Sequence, residues 1–99
     1  MRTRVEVAPQ VQAFVRSLAP DPRRNLTRAI KSLAQDAGDR RVLEGKLTGY
    51  QRLRVAGYRV IYREQPVSGT RVIFCIFAER RSVVYELFQQ MLLEELARR

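Results

Sequence analysis

The chain has 99 residues, of which 45% are hydrophobic and 29% are charged. A chain of this length forms one modest core, which predicts a single domain over residues 1–99 and excludes both a second catalytic domain and a large enclosed cofactor. Lysines and arginines number 19 against 10 aspartates and glutamates, so the net charge is +9 and a polyanion such as nucleic acid is the expected partner.

The sequence contains no histidine and a single cysteine. Without imidazole, hydrolase arrangements of the Ser-His-Asp and Cys-His types and all histidine metal sites are excluded. Cys75 lies in the apolar run 72–77, which indicates a small buried thiol, and one thiol cannot form an internal disulfide. The chain shows neither an apolar leader nor an apolar run near the roughly 20 residues of a membrane span. We therefore expect a cytoplasmic protein without metal, organic cofactor or membrane partner.

The first part of the chain predicts a strand followed by two helices. Residues Arg2–Val7 alternate between polar and apolar side chains, as a half-buried strand does. Pro9 begins a helix with apolar residues at the helical period, and Ala19-Pro20 ends it. Asp21 is the predicted N-cap of a second helix, which ends near residues 37–39. The two helices are expected to pack as an antiparallel hairpin.

The second part predicts three strands and a closing helix. From about Tyr50 apolar and polar residues alternate, and Gly57 marks a turn into the next strand. Residues 66–69 indicate a hairpin connection to a central strand over Arg71–Ala78, covered on both faces. Ser82 is the predicted cap of a helix whose broad apolar stripe packs on the sheet or is shared with a partner chain. The predicted class is α+β, with the helical hairpin on a small, mainly antiparallel twisted sheet in the order β-α-α-β-β-β-α.

Cationic side chains concentrate between residues 40 and 63. This stretch contains seven cations, Arg40, Arg41, Lys46, Arg52, Arg54, Arg59 and Arg63, offset only by Glu44. Residues two apart on a strand share a face, so Arg52 and Arg54 project together, and a tight turn brings Arg59 beside them. Like charges at this spacing destabilise a sheet unless an anion binds between them, which favours an anion-binding face. The alternative interpretation is a solvated face whose guanidinium groups spread into water.

A second group follows the apolar strand, where Arg80 and Arg81 precede Tyr85. The arginines can reach the same face from the end of the strand. The ring of Tyr85 can stack on a nucleotide, or it can belong to the core.

The chain resembles the RelE/ParE superfamily of bacterial and archaeal toxins in two segments, KLTGYQRLRVAGYRVIYR (residues 46–63) and RRSVVY (residues 80–85). The resemblance extends over nearly the whole chain and favours the RelE-like branch. It implies a compact toxin that an acidic antitoxin wraps and neutralises. In the RelE branch it further implies a metal-independent endoribonuclease that cleaves mRNA in the ribosomal A site, by attack of a ribose 2′-hydroxyl on the adjacent phosphate.

The resemblance also implies the site. By position it places the basic pair at Arg52 and Arg54, the transition-state arginine at Arg59, the basic residue before the last helix at Arg81 and the stacking ring at Tyr85. Flanking candidates for RNA binding are Lys46, Arg63 and Arg80.

The general base is open, because some RelE-like toxins carry lysine where this chain has Arg52, and arginine stays protonated at physiological pH. The remaining titratable candidates are Lys46, Tyr85 and Glu79. Otherwise the reaction depends on orientation and charge stabilisation alone, or cleavage is slow or lost.

Two other functions are alternatives. The first is a ParE-like toxin that binds and inhibits DNA gyrase without cutting nucleic acid. The second is a non-catalytic relative whose cationic surface only docks RNA or protein.

Overall fold

The computed structural model describes residues 2–98. Its strands and α-helices are, in chain order, β1 (Arg2–Val7), α1 (Pro9–Ser17), α2 (Pro20–Ser32), β2 (Asp39–Val42), β3 (Gln51–Val55), β4 (Tyr58–Val67), β5 (Thr70–Arg80) and α3 (Val84–Ala97). Short 3-10 turns at Leu33–Gln35 and Gly45–Leu47 flank β2. The α+β class is confirmed, and β2 is a strand that the sequence did not predict.

The five strands form one mixed sheet in the order β1-β5-β4-β3-β2. β1 pairs with β5 in parallel, and every other pair is antiparallel. β5 therefore has a strand on each side, which agrees with the interior position predicted from its run of apolar residues.

Each face of the sheet carries its own core. On one face, α1 and α2 enclose a cluster of buried side chains that includes Val11, Phe14, Leu26, Ile30, Leu53, Val60, Tyr62, Ile73 and Cys75. On the other face, α3 covers a smaller cluster formed by Leu47, Ile61, Phe77, Val84 and Phe88. Both faces of β5 are thus covered, as predicted.

The start of α2 differs from the prediction. The N-cap is Ala19, with Pro20 as the first helical residue, so Asp21 lies inside the first turn and forms an ion pair with Arg24. A proline is favoured at the first helical position because its missing N–H would have no partner there. Asp21 contributes as a negative charge near the helix N-terminus instead.

The start of α3 also differs. Ser82 does not cap the helix, because residues 81–83 form a turn and α3 begins at Val84 after an N-cap at Val83 that makes no side-chain cap bond. The backbone N–H of Arg81 donates to the carbonyl of Gly57 at 2.9 Å. This bond ties the turn to the β3–β4 hairpin.

The apolar stripe of α3 is packed on the sheet as far as Leu92. Val84 and Phe88 are buried, and Met91 and Leu92 pack partly buried against the same core. Two residues of the predicted stripe are exposed, Leu87 at 37% and Leu96 at 62%.

The β4–β5 turn is tighter than predicted. Both strands continue through Val67 and Thr70, so Pro66 lies within β4, and the turn is Ser68-Gly69 with φ values of 51° and 79°. β3 pairs with β4 only as far as Tyr62. One edge of β4 is therefore unpaired beyond that residue, and proline is tolerated at such an edge.

Candidate active site

The β3–β4 hairpin places three arginines on one face of the sheet. Arg54 lies directly opposite Arg59, and the connection between the strands is only Ala56-Gly57. Arg52 is two residues from Arg54 on the same strand, so it projects from the same face. That face is the one covered by α3, because Ile61 lies opposite Arg52 and belongs to the α3-side core.

Arg59 is the most enclosed charged residue of this group, at 9% exposure. Its Nη1 donates to the carbonyl of Ala56 at 3.0 Å and to the carbonyl of Tyr58 at 2.8 Å. These two bonds occupy the N–H groups of Nη1. A guanidinium carries five N–H donors in a planar fork, so the Nε and Nη2 edge keeps three for another partner.

The electrostatic environment of Arg59 disfavours its charge. Burial lowers the pKa of the Arg59 guanidinium, and the positive charge of Arg54 lowers it further. Tyr85 opposes that effect, while Arg52 and Arg81 add smaller contributions that lower the pKa. Within residues 2–98 no carboxylate forms an ion pair with Arg59. Arg59 is therefore a buried cation whose charge three nearby arginines disfavour.

Arg52 is held by β2. Its side chain is 12% exposed, and its Nη1 donates to both the carboxylate Oδ1 and the backbone carbonyl of Asp39, each at 3.1 Å. Asp39 lies opposite Arg54 in the β2–β3 register. The sequence did not indicate this partner, because it did not predict β2.

Tyr85 reaches the cluster from the first turn of α3. Its ring is half-buried against the α3-side core. Together with Arg52 it lines an open groove of about 540 Å³, whose remaining wall comes from residues 41–44 on and after β2. A ring at the edge of such a groove is placed to stack on a flat group.

Glu79 lies on the same face as the arginines. It is directly opposite Arg59 in the β4–β5 register, and its side chain is 21% exposed. One carboxylate oxygen accepts the backbone N–H of Arg80 at 3.0 Å. Of the three titratable candidates considered for the general base, Glu79 thus faces Arg59 across the sheet and Tyr85 lines the groove.

The structure does not bring the flanking candidates into this cluster. Arg63 is four residues beyond Arg59 on β4, about 13 Å along the strand, and its guanidinium stacks 5.8 Å from the ring centre of Phe74. Arg80 pairs with Tyr58 across the sheet and lines a separate groove with Asp21. Arg81 lines that groove as well, although its charge also lowers the pKa of Arg59. Lys46 is exposed on the 3-10 turn before β3.

Two features of residues 2–98 bear on metals and membranes. No three histidine, cysteine, aspartate or glutamate side chains of this part of the chain are grouped so that they could hold a metal ion. None of its helices has both the length and the apolar character required to cross a bilayer.

Comparison with known proteins gives a match at the level of structure. No protein-family model and no curated protein match the chain. Among solved structures, the RelBE2 toxin-antitoxin complex from Mycobacterium tuberculosis has a chain 19% identical, with a TM-score of 0.65 over 82% of this chain and 100% of that one. The RelE/ParE fold is therefore present. This chain has the fold of the RelE/ParE toxins.

Two further structures with the RelE/ParE fold are similar. The YoeB/ParE toxin from Agrobacterium tumefaciens is 16% identical, with a TM-score of 0.64 over 82% of this chain and 99% of that one. A chain of the archaeal RelE-RelB complex from Pyrococcus horikoshii OT3 is 26% identical, with a TM-score of 0.59 over 82% of this chain and 97% of that one. The resemblance predicted from residues 46–63 and 80–85 is confirmed in the fold.

Proposed function

We propose that this chain is the toxin of a type II toxin-antitoxin pair and acts as a ribosome-dependent mRNA endoribonuclease. The proposal rests on one observation, the convergence of three arginines and a tyrosine around the buried guanidinium of Arg59. The group consists of Arg52, Arg54, Arg59, Arg81 and Tyr85. Three cations on the sheet and a fourth on the turn after β5 are stabilised when an anion binds among them.

The chemistry that such a cluster supports is attack of a ribose 2′-hydroxyl on the adjacent phosphate. The O2′–P bond forms, the P–O5′ bond breaks, a base removes the 2′ proton, and the 5′ oxygen leaves with a proton. The intermediate phosphorane carries more negative charge than the diester. Arginines fixed before the reaction stabilise that charge selectively, which lowers the barrier.

Arg59 is suited to this role by its hydrogen bonds. The carbonyls of Ala56 and Tyr58 fix the plane of its guanidinium, so it does not reorganise when the phosphate binds. Its Nε and Nη2 edge can then donate two parallel bonds to phosphate oxygens. Arg52, held by Asp39, supplies a second fixed cation.

Glu79 is our candidate for the general base. Arginine remains protonated at physiological pH and cannot accept the 2′ proton, whereas a carboxylate can. Glu79 lies opposite Arg59 in the register, so its carboxylate and the phosphate-binding edge are on one face. Tyr85 supplies the ring on which a base of the mRNA stacks.

The partner that we propose is an acidic antitoxin, with the ribosome and its mRNA as the target. The chain carries a net charge of +9, and an acidic segment over the arginines would neutralise them and block the groove. The similar structures from Mycobacterium tuberculosis and Pyrococcus horikoshii are complexes with an antitoxin. The affinity of this chain for its antitoxin should fall as the salt concentration rises, and an affinity independent of salt would show a chiefly apolar contact.

The test is to map mRNA ends in a translating extract with wild-type protein, Arg59→Ala and Glu79→Gln, using Arg2→Ala as a control on the far strand β1. We expect codon-phased ends from wild type and control, and a loss of about a hundredfold for Arg59→Ala. Absence of phased ends from the wild type would refute the nuclease. Inhibition of supercoiling by purified gyrase would then favour the ParE-like alternative, and absence of growth arrest would favour a non-toxic relative.

A further inference from the structure

A second cationic surface lies on α2, outside the arginine cluster. Leu26 and Ile30 are the buried residues of this helix. At 100° per residue, Arg24, Arg28 and Lys31 project from the opposite side, away from the sheet. All three are exposed.

These side chains enclose a groove. It has a volume of about 350 Å³ and is lined by Arg23, Arg24, Thr27, Arg28 and Lys31. Arg23 is fixed there, because its Nε and Nη2 donate to the carbonyl of Leu18 at 3.3 and 2.9 Å. Four cations and one hydroxyl therefore line the groove without any apolar side chain.

Little of this charge is compensated. Arg24 forms an ion pair with Asp21. Within residues 2–98, no carboxylate forms an ion pair with Arg28 or Lys31. The groove thus keeps an excess of positive charge, which favours an anionic ligand.

The α2 groove and the arginine cluster are in different layers of the molecule. α2 packs on the face of the sheet that carries Leu53 and Val60, whereas Arg52, Arg54 and Arg59 project from the other face. An RNA strand bound at the cluster does not occupy the α2 groove. A ligand bound in the α2 groove would therefore be separate from an RNA strand bound at the cluster.

We propose that the outer face of α2 binds the phosphate backbone of double-stranded RNA. Arg24 to Lys31 spans about 10 Å along the helix axis, enough for two or three successive phosphates of one strand. The groove offers no aromatic ring for stacking on a base, so recognition is by shape and charge and does not depend on sequence. An acidic amphipathic peptide would need aliphatic or aromatic residues to pack against, and no residue of these types lines this groove.

The proposal goes beyond the nuclease function. Two cationic surfaces on opposite layers allow the protein to hold a structured RNA on α2 while a single strand enters the arginine cluster. Attachment through α2 raises the effective concentration of the second RNA segment at the cluster without any new contact there.

The experiment measures binding of a fluorescent RNA hairpin with a stem of about 16 base pairs, a length that shape-reading RNA domains span. The variant is Arg24→Gln/Arg28→Gln/Lys31→Gln, and the control is Arg2→Gln/Arg4→Gln/Arg98→Gln, which removes the same charge from exposed positions elsewhere. At about 0.1 M salt we expect the α2 variant to bind about tenfold more weakly or worse, with the salt slope reduced by roughly two to three. The control should stay within about twofold. Because all six residues are exposed, thermal melting should show both variants folded.

Three results would overturn the proposal. Equal weakening by both variants would show that only net charge matters. Binding of inorganic phosphate as tightly as the hairpin would identify a small-anion site. An α2 variant that binds the hairpin like wild type but loses a polyglutamate peptide would assign the surface to a protein partner.

The outcome is separable from that of the nuclease proposal. Arg59→Ala should bind the hairpin like wild type and fail to cleave mRNA. A wild-type protein that never cleaves mRNA but loses hairpin binding through the α2 variant would refute the nuclease and support the α2 surface.

Discussion

Replacing Arg59 with methionine should separate function from stability. Methionine is unbranched and can fill the space of the aliphatic part of the arginine, which is almost fully buried. The change removes two hydrogen bonds from a charged donor, to Ala56 at 3.0 Å and Tyr58 at 2.8 Å. Bonds of this kind contribute about 1.5–3 kcal/mol each, so about 3–6 kcal/mol is lost from the folded state.

The same substitution also removes two destabilising contributions of similar size, the desolvation of the guanidinium and its repulsion by neighbouring arginines. Keeping a buried guanidinium out of water costs several kcal/mol. Arg54 directly opposite, with Arg52 and Arg81 nearby, adds repulsion, and the lowered pKa of Arg59 has these same causes. We therefore expect Arg59→Met to change the free energy of unfolding by about 2 kcal/mol or less. Cleavage should nevertheless fall by about a hundredfold, which corresponds to about 3 kcal/mol of transition-state stabilisation.

The assay combines urea denaturation at low and high salt with single-turnover cleavage of mRNA on ribosomes. Salt screens repulsion between cations, so the wild type should become more stable from about 0.05 to 0.5 M salt, and Arg59→Met should gain less. Arg63→Met, on the same strand but outside the cluster, should keep the wild-type salt dependence of stability. The reasoning would be refuted if Arg59→Met lowered the free energy of unfolding by more than about 4 kcal/mol and the stability of the wild type did not change with salt. The hydrogen bonds of Arg59 would then outweigh the repulsion and the cost of burial.

Three smaller predictions concern the rest of the fold. Tyr62→Phe removes the 3.1 Å bond from the buried hydroxyl to Gln51 and should cost about 1 kcal/mol in urea denaturation, and no measurable loss would contradict the role of that bond. The hydrogen bond and charge of Arg71 hold the pKa of Asp36 below its usual value. Above about pH 4 the wild type should therefore have a higher melting temperature than Asp36→Asn, and this difference should vanish in more acid solution. Burial raises the pKa of Cys75 to about 12, so iodoacetamide at about pH 8 should modify this thiol only after the protein unfolds. Mass spectrometry detects the modification, and rapid modification of the folded protein would show that Cys75 is accessible.

The arrangement of Arg52, Arg54 and Arg59 could be predicted from sequence because strand geometry is local. Alternation fixes which side chains share a face, and a two-residue turn fixes which residue lies opposite which. Both signals are written in residues 52–59. The residue opposite Arg59 on β5, which is Glu79, is harder to predict from the sequence. The β4–β5 register shifts at Ile61/Tyr62, and no sequence signal marks that shift.

β2 could not be predicted in the same way. Its four residues, Asp39–Val42, are all exposed, and three of them are charged. No apolar alternation marks the strand, since its stability comes from pairing with β3 rather than from burial. The contact between Asp39 and Arg52 was missed for that reason.

The predictions of the two helix N-caps were wrong because neighbouring residues compete for the N-cap position. Asp21 and Ser82 are both favourable cap types. Pro20 begins α2 two residues earlier than predicted, and the bond from the N–H of Arg81 to the carbonyl of Gly57 holds residues 81–83 in a turn. Cap propensity alone does not resolve such a choice, because a neighbouring proline decides it for α2 and a tertiary hydrogen bond decides it for α3.

The parallel pairing of β1 with β5 sets when the chain can fold during synthesis. Arg2 aligns with Thr70, and the side chain of Gln10 donates to the carbonyl of Ala78 across a separation of 68 residues, so the first strand pairs only after the last strand has been made. Contacts between such distant segments form slowly and late. A nascent chain therefore leaves the peptidyl-transferase centre almost whole before its sheet closes.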